Sequence, residues 1–178
     1  MKNLNFWSFL PFIGIVILTA CDSKGDPEPD ENELITTVQL TVTDPGNVSK
    51  TVSWKDSTGS GKAVIDTLIL SKNVSYTYSV KFLDQSQSPE EDITTEIKER
   101  SDEHLLVFTP SPTALLAVTI TDKDKNGLPI GLVGSMQTQT TAGTGKLKIQ
   151  LRHQPGVKDG SAVPGSDDAN VDFPVVIQ

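Results

Sequence analysis

The chain has 178 residues, of which 36% are hydrophobic, and it carries a formal charge of −8 from 15 basic and 23 acidic side chains. This length suits one domain behind a short leader. The acidic balance argues against a nucleic-acid-binding protein, whose affinity depends on Lys and Arg neutralising phosphates, and the single cysteine excludes disulfides within the chain.

The first 20 residues have the pattern of a secretory signal. Lys2 gives a short basic region, and Phe6–Leu18 is an apolar stretch of 13 residues. A helix that crosses a bilayer needs about 20 apolar residues. The shorter stretch therefore predicts a signal peptide over residues 1–20. Its removal takes away one positive charge, Lys2, and leaves residues 21–178 with a formal charge of −9.

The predicted signal ends in the sequence LTAC, and Cys21 is the only cysteine. This ending resembles the lipobox of bacterial lipoproteins, in which the cysteine thiol is acylated and becomes the mature N-terminus. The resemblance implies lipidation at Cys21. Acyl chains contribute about 0.8 kcal/mol per buried CH₂, and stable anchoring needs more than one chain. The alternative is a chance cysteine behind an ordinary signal peptide.

An acidic segment follows the cysteine. Residues 22–33 read DSKGDPEPDENE, with six acidic residues and two prolines. Such a segment buries too little apolar surface to fold by itself, so residues 21–33 are predicted to form an extended tether. Acidic residues just after the cysteine also resemble the surface-export signals of Bacteroidetes lipoproteins, and the two roles are compatible.

From Leu34 onward, apolar and polar residues alternate with a period of two. This alternation indicates half-buried antiparallel strands. Turn-forming residues, such as Asn126-Gly127, separate the stretches. About nine strands are predicted, in the stretches LITTVQLTVT, TVSW, VIDTLIL, SYTYSVKFL, HLLVF, LLAVTIT, GLVGSMQTQ, KLKIQLR and NVDFPVVI.

One segment, SPEEDITTEIKER, breaks this rhythm. Ser88 is placed to cap a helix, Pro89 suits its first position, and Glu91 completes a capping box. Two isoleucines four residues apart share a face. We predict one short helix, from about Pro89 to Arg100, that crosses between the fourth and fifth predicted strands.

Together these patterns predict an all-β fold for residues 34–178. We expect an antiparallel β-sandwich, immunoglobulin-like or jelly-roll, of about nine strands with one short crossover helix. The polar segment Gly160–Asn170 lacks periodicity and is predicted to be an exposed loop before the last strand.

The segment DKDKNG matches the first half of a calcium-binding loop. Asp122, Asp124 and Asn126 offer alternating oxygens, and Gly127 permits a sharp bend. The bidentate glutamate of a complete loop is replaced by Val133, so any calcium site here would be weak. The alternative is a plain hairpin turn with solvated aspartates.

The two histidines, His104 and His153, each lie near the end of a predicted strand and share parity with apolar neighbours. Histidine is the commonest metal ligand, and Glu103 adjoins His104. Two histidines do not complete a metal site without further ligands. A structural or surface role is therefore the alternative.

Several stretches resemble an uncharacterised family of Bacteroidetes lipoproteins. They include ENELITTVQLTVTD, SDEHLLVFTP, TDKDKNGLPIGL, TAGTGKLKIQLRHQPG and VDFPVVIQ. Some members carry the label of the type 1 periplasmic-binding fold, an α/β fold of roughly twice this length. A chain with one predicted helix is expected to depart from that label. The resemblance implies neither a reaction nor an established ligand.

The functional expectation is a lipid-anchored, non-enzymatic binding module of the bacterial cell envelope. It would be held at the outer membrane by acyl chains, facing the periplasm or the cell surface, and would bind a protein or glycan. The chain has no G-x-S-x-G or H-E-x-x-H motif. We expect no cofactor beyond weakly bound calcium. The alternatives are a metal-binding protein or enzyme based on His104 and His153, and a purely structural envelope component.

Overall fold

The computed structural model describes residues 34–56, 59, 61–86 and 88–178. These residues form eleven strands and one helix. The elements are β1 Thr37–Thr43, β2 Ser49–Lys55, β3 Val64–Ile65, β4 Leu68–Leu70, β5 Ser75–Asp84, β6 Glu91–Asp92, α1 Ile93–Glu99, β7 His104–Ser111, β8 Leu116–Ile120, β9 Val133–Thr138, β10 Gly143–His153 and β11 Ser166–Ile177. The predicted signal peptide, Cys21 and the tether lie outside the described residues.

The strands form two sheets. The larger sheet has the order β3-β2-β1-β5-β9-β8, with β6 also paired to β5, and the smaller has the order β4-β11-β10-β7. Every pairing is antiparallel except that of β11 with β4. The predicted all-β sandwich is confirmed, with one parallel pair at the edge of its smaller sheet.

The core lies between the inner faces of the two sheets. In β5 the buried residues alternate with exposed ones, as the sequence predicts. The smaller sheet contributes the inward residues of β10 and β11, including Leu147, Ile149 and Phe173, to the same apolar cluster. Burying a side chain of this size contributes about 1.5–3 kcal/mol. A one-residue slip would turn the whole set outward, so burial fixes the strand register.

The strand count is higher than predicted because the segment VIDTLIL divides. Val64–Ile65 pairs with β2 in the larger sheet, and Leu68–Leu70 pairs with β11 in the smaller one. The two residues between them carry the chain across the edge of the sandwich. The first predicted strand also starts later than expected, at Thr37, and Leu34 is 55% exposed.

The helix is shorter than predicted and has a different cap. It spans Ile93–Glu99, and Asp92 is its N-cap, accepting a hydrogen bond from the Thr94 amide. The prediction of Ser88 as cap is wrong because Glu91 and Asp92 pair with the end of β5 before the helix begins. The crossover itself is confirmed, since α1 lies between β5 of the larger sheet and β7 of the smaller one.

The predicted loop Gly160–Asn170 is wrong in its second half, since β11 begins at Ser166. The polar residues before β11 are held by two side chains, Arg152 of β10 and Gln154 directly after β10. Arg152 donates to the carbonyls of Pro164 (2.9 Å) and Gly165 (2.6 Å), and Gln154 donates to those of Ser161 and Pro164, both at 2.9 Å. These bonds satisfy backbone carbonyls of the segment and order it without a strand ladder.

Candidate metal centre

The two histidines lie opposite each other at one end of the smaller sheet. His104 is the first residue of β7, His153 is the last of β10, and the register pairs them directly. Because each shares parity with buried leucines of its strand, both side chains face the core. Their rings are stacked, with centroids 4.9 Å apart and planes 5° from parallel.

A β-bulge adds Asp168 to this pair. In the ladder between β10 and β11, Leu151 pairs with Ala169 but Arg152 pairs with Asp167, so Asp168 is the extra residue. Strict alternation from the buried Val171 would turn Asp168 away from the core. The bulge reverses that parity. Asp168 Oδ2 lies 3.7 Å from His104 Nε2, and Asp168 Oδ1 lies 3.9 Å from His153 Nδ1.

The other nitrogen of each ring faces an oxygen of the turn between α1 and β7. His104 Nδ1 lies 3.0 Å from the carbonyl oxygen of Arg100, which can only accept, so this nitrogen carries the proton. His153 Nε2 lies 3.7 Å from Glu103 Oε2. Each imidazole therefore presents its inner nitrogen to Asp168 and its outer nitrogen to an acceptor on the turn.

The group is nearly closed to solvent. The side chains of His104, His153 and Asp168 are 5%, 6% and 7% exposed. Burial lowers the pKa of His104, and the hydrogen bond to Arg100 raises it without restoring the usual value. At neutral pH His104 is therefore uncharged and has its lone pair on Nε2, the form that binds metal ions.

Two imidazoles and one carboxylate suit a first-row transition metal. One ligand atom from each of the three residues can be chosen so that all lie within 4.8 Å of one another. A tetrahedral ion with bonds of about 2.0–2.1 Å would bring such atoms to about 3.4 Å. The approach required is thus on the order of 1 Å, within the reach of side-chain rotation.

The residues predicted for calcium are arranged differently. Asp122 Oδ1 accepts from the amide of Gly131 at 2.8 Å, and Oδ2 accepts from those of Leu132 and Val133 at 2.9 and 3.3 Å. These bonds close the connection between β8 and β9.

Asp124 is buried, so the description of both aspartates as solvated is wrong. Its Oδ1 accepts from the amides of Asn126 and Leu128, and its Oδ2 accepts from Lys158 at 2.8 Å. Asn126 is exposed at the turn. The calcium interpretation stays a prediction, and this geometry lends it no support because both carboxylates already accept from donors.

Sequence reasoning found the two histidines and missed Asp168. The parity of each histidine with its apolar neighbours was the available signal, since it places both on inner faces. Nothing in the local sequence marks a bulge.

Among the described residues, no helix is long and apolar enough to cross a bilayer. Comparisons of the chain with protein-family models, with curated proteins and with solved structures gave no match in any of the three.

Proposed function

We propose that this domain binds one divalent transition-metal ion of the zinc class between His104, His153 and Asp168. The observation that carries the proposal is the convergence of three donor side chains, one from each of three adjacent strands, with the outer nitrogen of each ring turned toward an acceptor. Imidazole and carboxylate ligands of this kind suit Zn²⁺ and Cu²⁺.

The electrostatics of the group favour a cation. A carboxylate that is nine-tenths buried loses most of its hydration, and a nearby cation offsets that loss. A divalent ion would compensate for it directly and would use the neutral form of both histidines. Within the part of the chain that the structure describes, the three side chains expose little surface to a substrate. The arrangement therefore favours metal holding over catalysis.

For its place in the cell, we propose a lipid-anchored module of the bacterial envelope. The support is the lipobox-like LTAC, the lone Cys21, the acidic segment behind it and the resemblance to Bacteroidetes lipoproteins. In this proposal the acyl chains hold the protein at the outer membrane, and the metal ion stabilises the folded module. A protein or glycan partner stays a prediction, as does a purely structural role.

The proposal is tested by adding Zn²⁺, and in parallel Cu²⁺, to the metal-stripped purified protein. Binding of one ion per chain should stabilise only the folded state, by about 2.7 kcal/mol when free metal is 100 times Kd. This corresponds to a Tm rise of roughly 5–10 °C for a chain of this size.

Three substitutions, His104→Ala, His153→Ala and Asp168→Asn, should each remove most of the rise. The matched control is Asp172→Asn, on the same strand as Asp168. Asp172 lies at the surface, 3.9 Å from Lys146. Wild-type protein that takes up no stoichiometric metal and keeps its Tm would leave the stacked histidines with a structural role only.

A further inference from the structure

The turn between α1 and β7 treats the two histidines differently. The outer nitrogen of His104 faces a backbone oxygen, that of Arg100, whereas the outer nitrogen of His153 faces a side chain, that of Glu103. We propose that Glu103 is a positioning residue that accepts the Nε2–H of His153 and so presents the Nδ1 lone pair to the metal. This inference rests on the proposed metal site.

The choice of nitrogen matters because a neutral imidazole carries one proton. If that proton is on Nδ1 of His153, the nitrogen facing Asp168 cannot bind a metal. An acceptor beside Nε2 favours the other tautomer. A carboxylate in this position also makes the ring a stronger ligand, and losing such a partner typically weakens metal binding about 10–100-fold.

Glu103 is held in place through both its side chain and its backbone. Its Oε2, the atom nearest His153, accepts from Arg100 Nη2 at 2.7 Å and from Arg100 Nε at 3.0 Å. Its backbone oxygen accepts from the amide of Gln154 at 2.6 Å, and Gln154 follows His153 directly. Glu103 and His153 are therefore anchored to the same short stretch of backbone.

The distance of 3.7 Å between Glu103 Oε2 and His153 Nε2 is longer than a hydrogen bond. The Glu103 side chain is 27% exposed, so it has room to follow the ring when His153 turns toward a metal. Contacts that serve a bound state are commonly long in the free protein. We expect the contact to shorten on metal binding.

The test compares three variants with wild type by chelator-competition measurement of Zn²⁺ affinity. Glu103→Ala should weaken Zn²⁺ binding by about 10–100-fold. Glu103→Gln keeps an acceptor oxygen and should recover most of that loss. Glu96→Ala is the matched control, since Glu96 lies on α1 and also contacts Arg100, at 3.5 Å. It should bind Zn²⁺ like wild type.

A second readout separates positioning from stability. The urea midpoint of the metal-free protein should be nearly the same for all three variants, since Glu103 and Glu96 are partly exposed. The visible absorption of bound Co²⁺ should change in Glu103→Ala only. Equal Zn²⁺ affinity in Glu103→Ala and wild type, or equal losses in Glu103→Ala and Glu96→Ala, would overturn the role of Glu103 alone. Failure of wild type to bind metal would overturn the proposed site together with it.

Discussion

Lys158 Nζ lies 2.8 Å from Asp124 Oδ2, and the two side chains are 2% and 0% exposed. The same ammonium group donates to the carbonyl of Ser101 at 2.8 Å. This buried ion pair thus joins three segments that are distant in sequence: the β8–β9 connection, the β10–β11 connection and the turn after α1. The acceptors of the candidate metal centre lie on that same turn.

Removing the ammonium group should be costly. Lys158→Met leaves the Asp124 carboxylate buried without its cation, and breaking such a pair costs about 3–5 kcal/mol. The measurement is the free energy of unfolding in urea at pH 7. Lys125→Met is the control, because its ion pair with Asp102 is at the surface, with Lys125 72% exposed, and solvent screening should leave it a far smaller contribution. Similar losses in the two variants would contradict this account.

The same pair predicts a loss of stability in acid. Burial acts to raise the pKa of Asp124, but hydrogen bonds from Lys158 and from the Leu128 and Asn126 amides outweigh it and hold that pKa below its usual value. The unfolded chain then binds this proton more readily than the folded one. The resulting stability is fully present above the ordinary Asp pKa of about 3.9 and is lost as pH falls through the lower folded value.

Urea midpoints recorded between about pH 2 and pH 6 test this linkage. Wild type should lose stability in acid more steeply than Asp124→Asn, which has no proton to gain at this position. Parallel pH profiles for the two proteins would show that Asp124 does not carry the linkage.

Substitution of two glycines with positive φ separates the cost of backbone strain from the cost of a steric clash. Gly165 has φ +81°, and a Cβ added there would lie 1.9 Å from the carbonyl oxygen of His153. Gly156 has φ +68° and nothing within 4 Å of such a Cβ. Gly156→Ala should cost about 1–2 kcal/mol, the strain of a left-handed residue.

Gly165→Ala should cost more, because the backbone beside His153 must also move, and it should weaken Zn²⁺ binding as well. Thermal unfolding of the two variants with and without Zn²⁺ gives both comparisons. Equal costs would mean that the approach of Gly165 to β10 is unimportant.

Much of the fold follows from alternation, and the candidate site follows only in part. The buried faces of β5, β10 and the second half of β11 were predictable because each residue keeps the parity of its strand. His104 and His153 were placed on inner faces by the same rule. Asp168 breaks the rule, since a single inserted residue reverses parity and depends on how Arg152, Asp167 and the preceding segment pack. The Lys158–Asp124 pair was unpredictable because its partners lie 34 residues apart in irregular connections.

Calcium should have no effect on the metal-stripped protein. The carboxylate oxygens of Asp122 and Asp124 accept from backbone amides or Lys158, so a calcium ion would compete with these donors and would be repelled by the Lys158 ammonium group. We expect the same Tm with and without about 10 mM Ca²⁺. A rise of roughly 3–6 °C, the shift for a Kd on the order of 10⁻³ M, would restore the calcium interpretation if Asp122→Ala with Asp124→Ala removed it.

Lipidation is tested at Cys21. Expressed in a bacterium with its own leader, the wild-type protein should fractionate with membranes and carry acyl mass. Cys21→Ser lacks the thiol that accepts the acyl chains, so it should accumulate as precursor or appear in the soluble fraction without that mass. A wild-type protein that is soluble and unacylated would rule out the lipoprotein interpretation and leave an ordinary signal peptide.

The position of β11 in the smaller sheet determines when that sheet can close. β11 lies between β4 and β10, yet the ribosome makes it after the other ten strands. Until it arrives, β4 has no neighbour in its sheet and Leu68 and Leu70 have no strand beside them. During synthesis, the nascent chain therefore cannot complete its core before β11 has been made. If the chain crosses a membrane behind the predicted signal peptide, such late closure would favour its translocation before folding is complete.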